Sequence, residues 1–144
     1  MKFQSRKFTC GPAAICNALE VYGEYLSEDT VAKSCKTTVD GTTSRGLVAG
    51  VRALGYDVEP LKFRDSLAAL KNLQAGYPSI ICVDSWGHWI AVVGECGNRA
   101  VICDSASSHL VEFPAWTQLI ARWKYTGSRY EGYRIILGHG EVSE

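Results

Sequence analysis

At Gly76-Tyr77-Pro78 the hydrophobic pattern of this 144-residue chain changes period, and no other feature constrains its fold as much. Before that point apolar residues recur at helical spacing: the run Ala13 to Tyr22, then Leu47, Val48, Val51 and Leu54, then Leu67, Leu70 and Leu73. After it, Ser79 to Asp84, His88 to Gly94 and Arg99 to Asp104 are short runs rich in β-branched residues and punctuated by turn formers. Glu95-Cys96-Gly97-Asn98 reads as a hairpin turn. Leu110 to Phe113 and Tyr133 to Leu137 are expected as further strands. Between them Pro114 opens a helix with Trp116, Leu119, Ile120 and Trp123 on one face. The expectation is one α+β domain over residues 1–144, a helical N-terminal half packed on a C-terminal antiparallel sheet. The length suits a single domain with a core of its own.

Local signals set the boundaries. Cys10-Gly11-Pro12 opens the first helix, with proline in the turn where its missing N–H costs nothing. Gly23 ends it. Ser27 caps a second helix. Gly41-Thr42-Thr43-Ser44 supplies a turn and a cap for a third, which Gly55 closes. Asp57 to Leu61 reads as a short strand, and Asp65 as the cap of the helix bearing Leu67, Leu70 and Leu73.

Fifteen basic residues balance fifteen acidic ones, so no net field draws the chain to nucleic acid or to an anionic membrane. No apolar run approaches the ~18 residues of a membrane span, and stable membrane insertion is not expected. Met1-Lys2-Phe3 leads straight into polar residues, which argues against a signal peptide and for a cytoplasmic location. There thiols stay reduced. Cys10, Cys16, Cys35, Cys82, Cys96 and Cys103 lack any CxxC pair and read as free thiols, without the paired spacing of a structural zinc site. Cys16, Cys82 and Cys103 are expected in the core, Cys35 and Cys96 at the surface.

Cys10 stands at the start of a helix, where partial positive charge and unpaired N–H groups favour thiolate over thiol. Taken alone, a cysteine there is more often a buried core residue. Two features reverse that reading. Gln4, with five residues between it and Cys10, can reach back over the helix start and join the Cys10 N–H in an oxyanion hole. His88 opens an apolar strand, and Asp104 ends the next. Counted from the hairpin turn, the two lie opposite to within one residue of register. A carboxylate there would fix the imidazole tautomer and stabilise the imidazolium. Of the competing bases, His109 lies in a polar loop and His139 in a glycine-flanked tail. Trp89 should face the core by strand alternation. Trp86, in the loop before the strand, is read as a wall of the substrate cleft.

Gln4-x5-Cys10-Gly11-Pro12-Ala13-Ala14 resembles the nucleophile motif of papain-fold peptidases. More closely, the chain resembles the bacteriocin-processing cysteine peptidases, found at the front of ABC exporters that cleave leader peptides after a double glycine. Gly41 to Ser44 with the helix to Gly55 is similar to that family's next helix. Gly87-His88-Trp89-Ile90-Ala91-Val92-Val93 resembles its histidine strand. Val101-Ile102-Cys103-Asp104-Ser105 resembles its acidic motif, with Ser105 where a proline is usual. The similarity runs from about residue 4 to residue 112. It implies a papain-like fold, with Gln4 in the oxyanion hole, Cys10 as nucleophile, His88 as base and Asp104 orienting that base.

Three functions follow as expectations: a cysteine peptidase acting on a peptide or small protein, a deamidase or acyltransferase using the same thiol, or a silent peptide-binding module. The four intact site residues weigh against the third. The expected partners are a peptide or protein substrate and a separate exporter or precursor peptide. The chemistry needs no cofactor.

Overall fold

The computed structural model describes residues 1–63, 66–74, 78–84, 87–123 and 132–138. Helix α1 (Cys10–Leu19) is followed by one 3-10 turn (Glu20–Tyr22) and ends at Gly23, whose φ of 77° is a left-handed value that glycine adopts without a Cβ penalty. Residues Gly11 to Leu19 are all buried. A helix apolar almost all round belongs in the centre of a fold, and α1 lies against the sheet and the next helix. Helix α2 (Glu28–Ser34) starts where Ser27 Oγ accepts the Thr30 N–H at 3.1 Å. Helix α3 (Ser44–Ala53) starts where Thr43 Oγ1 accepts the Gly46 N–H at 2.9 Å. Each cap contributes about 1 kcal/mol by satisfying a backbone donor that the helix leaves open. Gly55, at φ 95°, closes the third helix as expected.

One expectation fails here. Cys35 is fully buried, not exposed. A Cβ placed on Gly50 would stand 2.5 Å from Cys35 Sγ and 2.6 Å from its Cα and N. The glycine lets the α3 backbone close directly over Cys35.

Among the described residues six antiparallel strands form the sheet: β1 (Val58–Phe63), β2 (Ser79–Val83), β3 (His88–Cys96), β4 (Arg99–Cys103), β5 (Val111–Glu112) and β6 (Gly132–Leu137). Their order is β1-β6-β2-β3-β4-β5, so the last strand in sequence lies between the first two. Strand alternation splits the sheet between two cores. Ile80, Cys82, Trp89, Ala91 and Cys103 pack with α1, α2 and α3. Ile81, Val83, Ile90, Val92, Ala100 and Ile102 pack with Leu73 of α4 (Ser66–Gln74) and with Trp116, Leu119 and Trp123 of α5 (Trp116–Trp123). The α+β class holds. The helices α1, α2 and α3 of the N-terminal half pack on one face of the sheet as expected, and α4 and α5 cover the other, because strands buried on both faces need two apolar covers. Helix α5 starts two residues beyond Pro114. The Asp65 cap lies outside the described residues. Among those residues no helix is long and apolar enough to cross a membrane.

Candidate active site

The thiol of Cys10 sits on the first residue of α1. The preceding Thr9 does not cap the helix. Its Oγ1 accepts the Arg6 N–H at 3.1 Å and donates to the Arg6 carbonyl at 2.9 Å, closing a tight loop before the helix. The first N–H groups of α1 are thus left to the thiol and to whatever binds beside it. Burial opposes a thiolate at Cys10. The hydrogen bond with His88, the N–H groups of Trp89 and Gly11 and the charge of His88 outweigh it, leaving the thiol below its usual pKa. Cys16, Cys35 and Cys103 go the other way, each pushed up to about 11 by burial. Among these four, Cys10 alone has its pKa lowered, toward the thiolate.

His88 Nε2 lies 2.7 Å from Asp104 Oδ1, which also accepts the Ala106 N–H at 3.1 Å. With Nε2 so engaged, Nδ1 is the ring nitrogen left for Cys10. Burial pulls the His88 pKa down, but the hydrogen bonds to Asp104 and Cys10 and their charges raise it from 6.5 to about 9. Asp104 is only 6% exposed. Burial would raise its pKa, yet the bonds from His88 and Ala106 and the charges of His88 and Arg122 hold it below the usual carboxylate range. The three side chains therefore favour a thiolate, an imidazolium and a carboxylate in a row.

A β-bulge makes this alignment. Ala91 pairs with Cys103 and Val92 with Ile102, but Gly94 pairs with Val101, so Val93 is an extra residue in β3. The turn itself is the two residues Gly97-Asn98, shorter than the expected four. Counted from that turn without a bulge, Asp104 would face Ala91, on the opposite side of the sheet from His88. The bulge shifts it to Ile90, on the His88 side, as a diagonal neighbour. The expected near-opposition becomes a two-residue offset, and that offset puts both side chains on one face.

Gln4 is tied to Ser105, 101 residues away and next in the chain to Asp104. Its N–H donates to the Ser105 carbonyl at 3.1 Å, and its Oε1 accepts from Ser105 Oγ at 2.9 Å. Its Nε2 donates to the Arg6 carbonyl at 2.9 Å and, more weakly, to that of Lys7 at 3.4 Å. Buried Asn17 fixes the segment just before it, accepting the Lys2 N–H at 2.8 Å and donating to the Lys2 carbonyl at 3.0 Å. The N-terminal segment is thus tied across α1 rather than frayed.

Trp89 is buried against α1, as alternation requires. His109 is exposed. Trp86 and His139 lie outside the described residues. Sequence reasoning passed over Asn17, the hydrogen-bonding of Ser105 and the ion pairs of Arg122 with Asp84 and Asp104. A polar residue in the middle of the run Ala13 to Tyr22 was the available signal for the first. A cavity of about 620 Å³ beside β1, lined by Arg52, Tyr56, Asp57 and Glu59, contains none of the candidate residues. No group of three potential metal ligands occurs among the described residues.

Residues 1–112 match the model of the family described as Peptidase C39. The chain is 30% identical over 114 residues to the lactococcin-A transport/processing ATP-binding protein LcnC of Lactococcus lactis, which covers 72% of this chain but 16% of that protein. Among solved structures, the peptidase domain of Streptococcus ComA, a bifunctional ABC transporter of a quorum-sensing pathway, superposes with a TM-score of 0.78 at 23% identity, covering 95% of this chain and 96% of that one. A double glycine motif protease from an AMS/PCAT transporter, solved with its leader peptide, superposes with a TM-score of 0.73 at 19% identity, covering 94% and 88%.

Proposed function

The chain belongs to the Peptidase C39 family and has the papain-like fold of its peptidase domains, and on that premise we propose that it acts as a cysteine peptidase that cuts a peptide or small protein behind a glycine-rich leader, using Cys10, His88, Asp104 and Gln4. The observation that carries this reading is the unbroken row from Cys10 through His88 to Asp104 at the start of α1. The leader specificity is supported by the relatives, named for transport and processing and for the double glycine motif.

In the proposed reaction the Cys10 thiolate attacks the scissile carbonyl carbon, and the carbonyl oxygen becomes an oxyanion. The Cys10 N–H and a Gln4 Nε2 hydrogen receive it. Arg6 O takes one of the two Nε2 hydrogens, and the longer contact to Lys7 O is the one that yields to the oxyanion. The His88 imidazolium gives its proton to the leaving amine as the C–N bond breaks, and a thioester remains on Cys10. His88, now neutral, takes a proton from water. The hydroxide adds to the thioester, the C–S bond breaks, and the thiolate–imidazolium pair is restored. Asp104 holds the ring through both steps.

The test is a synthetic peptide with a Gly-Gly pair in its centre, incubated with the protein and weighed by mass spectrometry. Two fragments divided after the second glycine support the reading, and Cys10→Ala should abolish them. An uncut peptide that gains about one dalton at a glutamine would instead mark a deamidase working through the same thioester.

A further inference from the structure

Arg122 lies near the end of α5, beyond the residues that match the family model. Its Nε and Nη2 donate to Asp84 Oδ1 and Oδ2 at 3.1 and 2.9 Å. Its carbonyl accepts the Asp84 N–H at 2.9 Å. Nη2 also stands 3.5 Å from Asp104 Oδ2. Asp84 leaves β2 at φ 55°, a left-handed value uncommon outside glycine, in the turn that leads into His88. The guanidinium thus joins two carboxylates, and on Asp104 it takes the oxygen that His88 does not use.

We propose that Arg122 is a positioning residue of this active site: it shares Asp104 with His88, pins the turn from which His88 starts, and limits how tightly the carboxylate holds the proton on the ring. The proposal rests on the reading of Asp104 as the partner of His88. Around the imidazole, Cys10 approaches from α1, Asp104 from the end of β4, Asp84 from the end of β2 and Arg122 from α5. Arg99 and Glu112 line a cavity with Arg122 on its other side. Asp104 does not depend on Arg122 for its place, because Oδ1 is held by His88 and the Ala106 N–H and its own N–H by the Leu110 carbonyl. What Arg122 adds is charge. Without it, the carboxylates of Asp84 and Asp104 and the Cys10 thiolate beside His88 lose the guanidinium that offsets them. The proton then stays on the ring to higher pH and is surrendered less readily to a leaving amine.

The experiment is a pH titration of the His88 imidazole by NMR in the full chain, with the signal assigned by its loss in His88→Ala. Arg122→Gln should move the midpoint up by about half a unit to one unit, as expected for the loss of one charge several ångströms away in a partly wet site. Arg122→Lys, which keeps the charge, should restore it. Asp84→Asn should move it down, and this serves as the test should Arg122→Gln not fold. A midpoint that stays in place or falls in Arg122→Gln, that is not restored by lysine, or that fails to fall in Asp84→Asn overturns the proposal. Asp104→Asn separates the two readings. If it leaves the midpoint unchanged, the pairing of Asp104 with His88 is wrong. If it lowers the midpoint while the Arg122 variants do nothing, only the role of Arg122 is wrong.

Discussion

Replacing Asp104 by Asn keeps the shape of the side chain and removes its charge. His88 is pushed up from 6.5 to about 9, and at 1.36 kcal/mol per pH unit this corresponds, before screening by solvent, to roughly 3 kcal/mol in favour of the charged ring. Asp104 and Cys10 supply that preference against the opposing effect of burial, and the hydrogen bond to Asp104 is the largest favourable contribution. Asp104→Asn should therefore remove much of it, on the order of 2 kcal/mol. The sign follows from linkage. A group whose pKa is raised by folding stabilises the fold fully below its unfolded pKa, and that contribution fades as pH rises through the folded value. Here the window runs from about 6.5 to about 9. The variant should thus be less stable than the wild type by about 2 kcal/mol at pH 6 and by clearly less at pH 9.5. Urea unfolding followed by tryptophan fluorescence at both pH values measures this. An equal cost at the two values would refute the reasoning, since a residue that only fills space does not care whether His88 is charged.

The pair Ser105 and Gln4 gives a second prediction: Gln4→Ala should lower kcat by on the order of 10², as loss of an oxyanion donor does. Ser105→Ala, which frees the Gln4 amide but leaves it in place, should give a smaller fall in kcat with KM little changed. Steady-state kinetics on a cleaved peptide would check both. Gly50→Ala should destabilise the fold by about 1–3 kcal/mol, because the new Cβ meets Cys35 backbone atoms that cannot swing away. Thermal melting reads this directly, and an unchanged Tm would mean that the close approach of α3 to Cys35 is wrong.

The features that sequence alone revealed are the locally determined ones. Ser27, Thr43, Gly23 and Gly55 act on the residues beside them, so their roles as caps and stops could be read without knowing the rest of the fold. The contacts of His88 with Cys10 and Asp104 were legible because a thiol, an imidazole and a carboxylate at such positions can reach one another. The bulge at Val93 was not. A valine in a β-branched run looks like any other strand residue, and only the pairing with β4 shows that it is extra. The insertion of β6 between β1 and β2 depends on which edges remain free once the chain has folded, which no local pattern encodes. Cys35 was misjudged because its neighbours Lys33 and Lys36 suggest a surface, while the glycine that buries it stands fifteen residues on. The Ser105–Gln4 bond joins residues 101 apart, and neither side chain signals the other.

The central claim is that Cys10 is held as a thiolate by His88. Brief treatment with limiting iodoacetamide at pH 6, followed by tryptic mass spectrometry, tests it most directly. Cys10 should carry nearly all of the label in the wild type, and His88→Ala should lose that preference, since the ion pair that lowers the thiol is gone. Label spread over the other cysteines, or a Cys10 whose reactivity is unchanged without His88, would contradict the account.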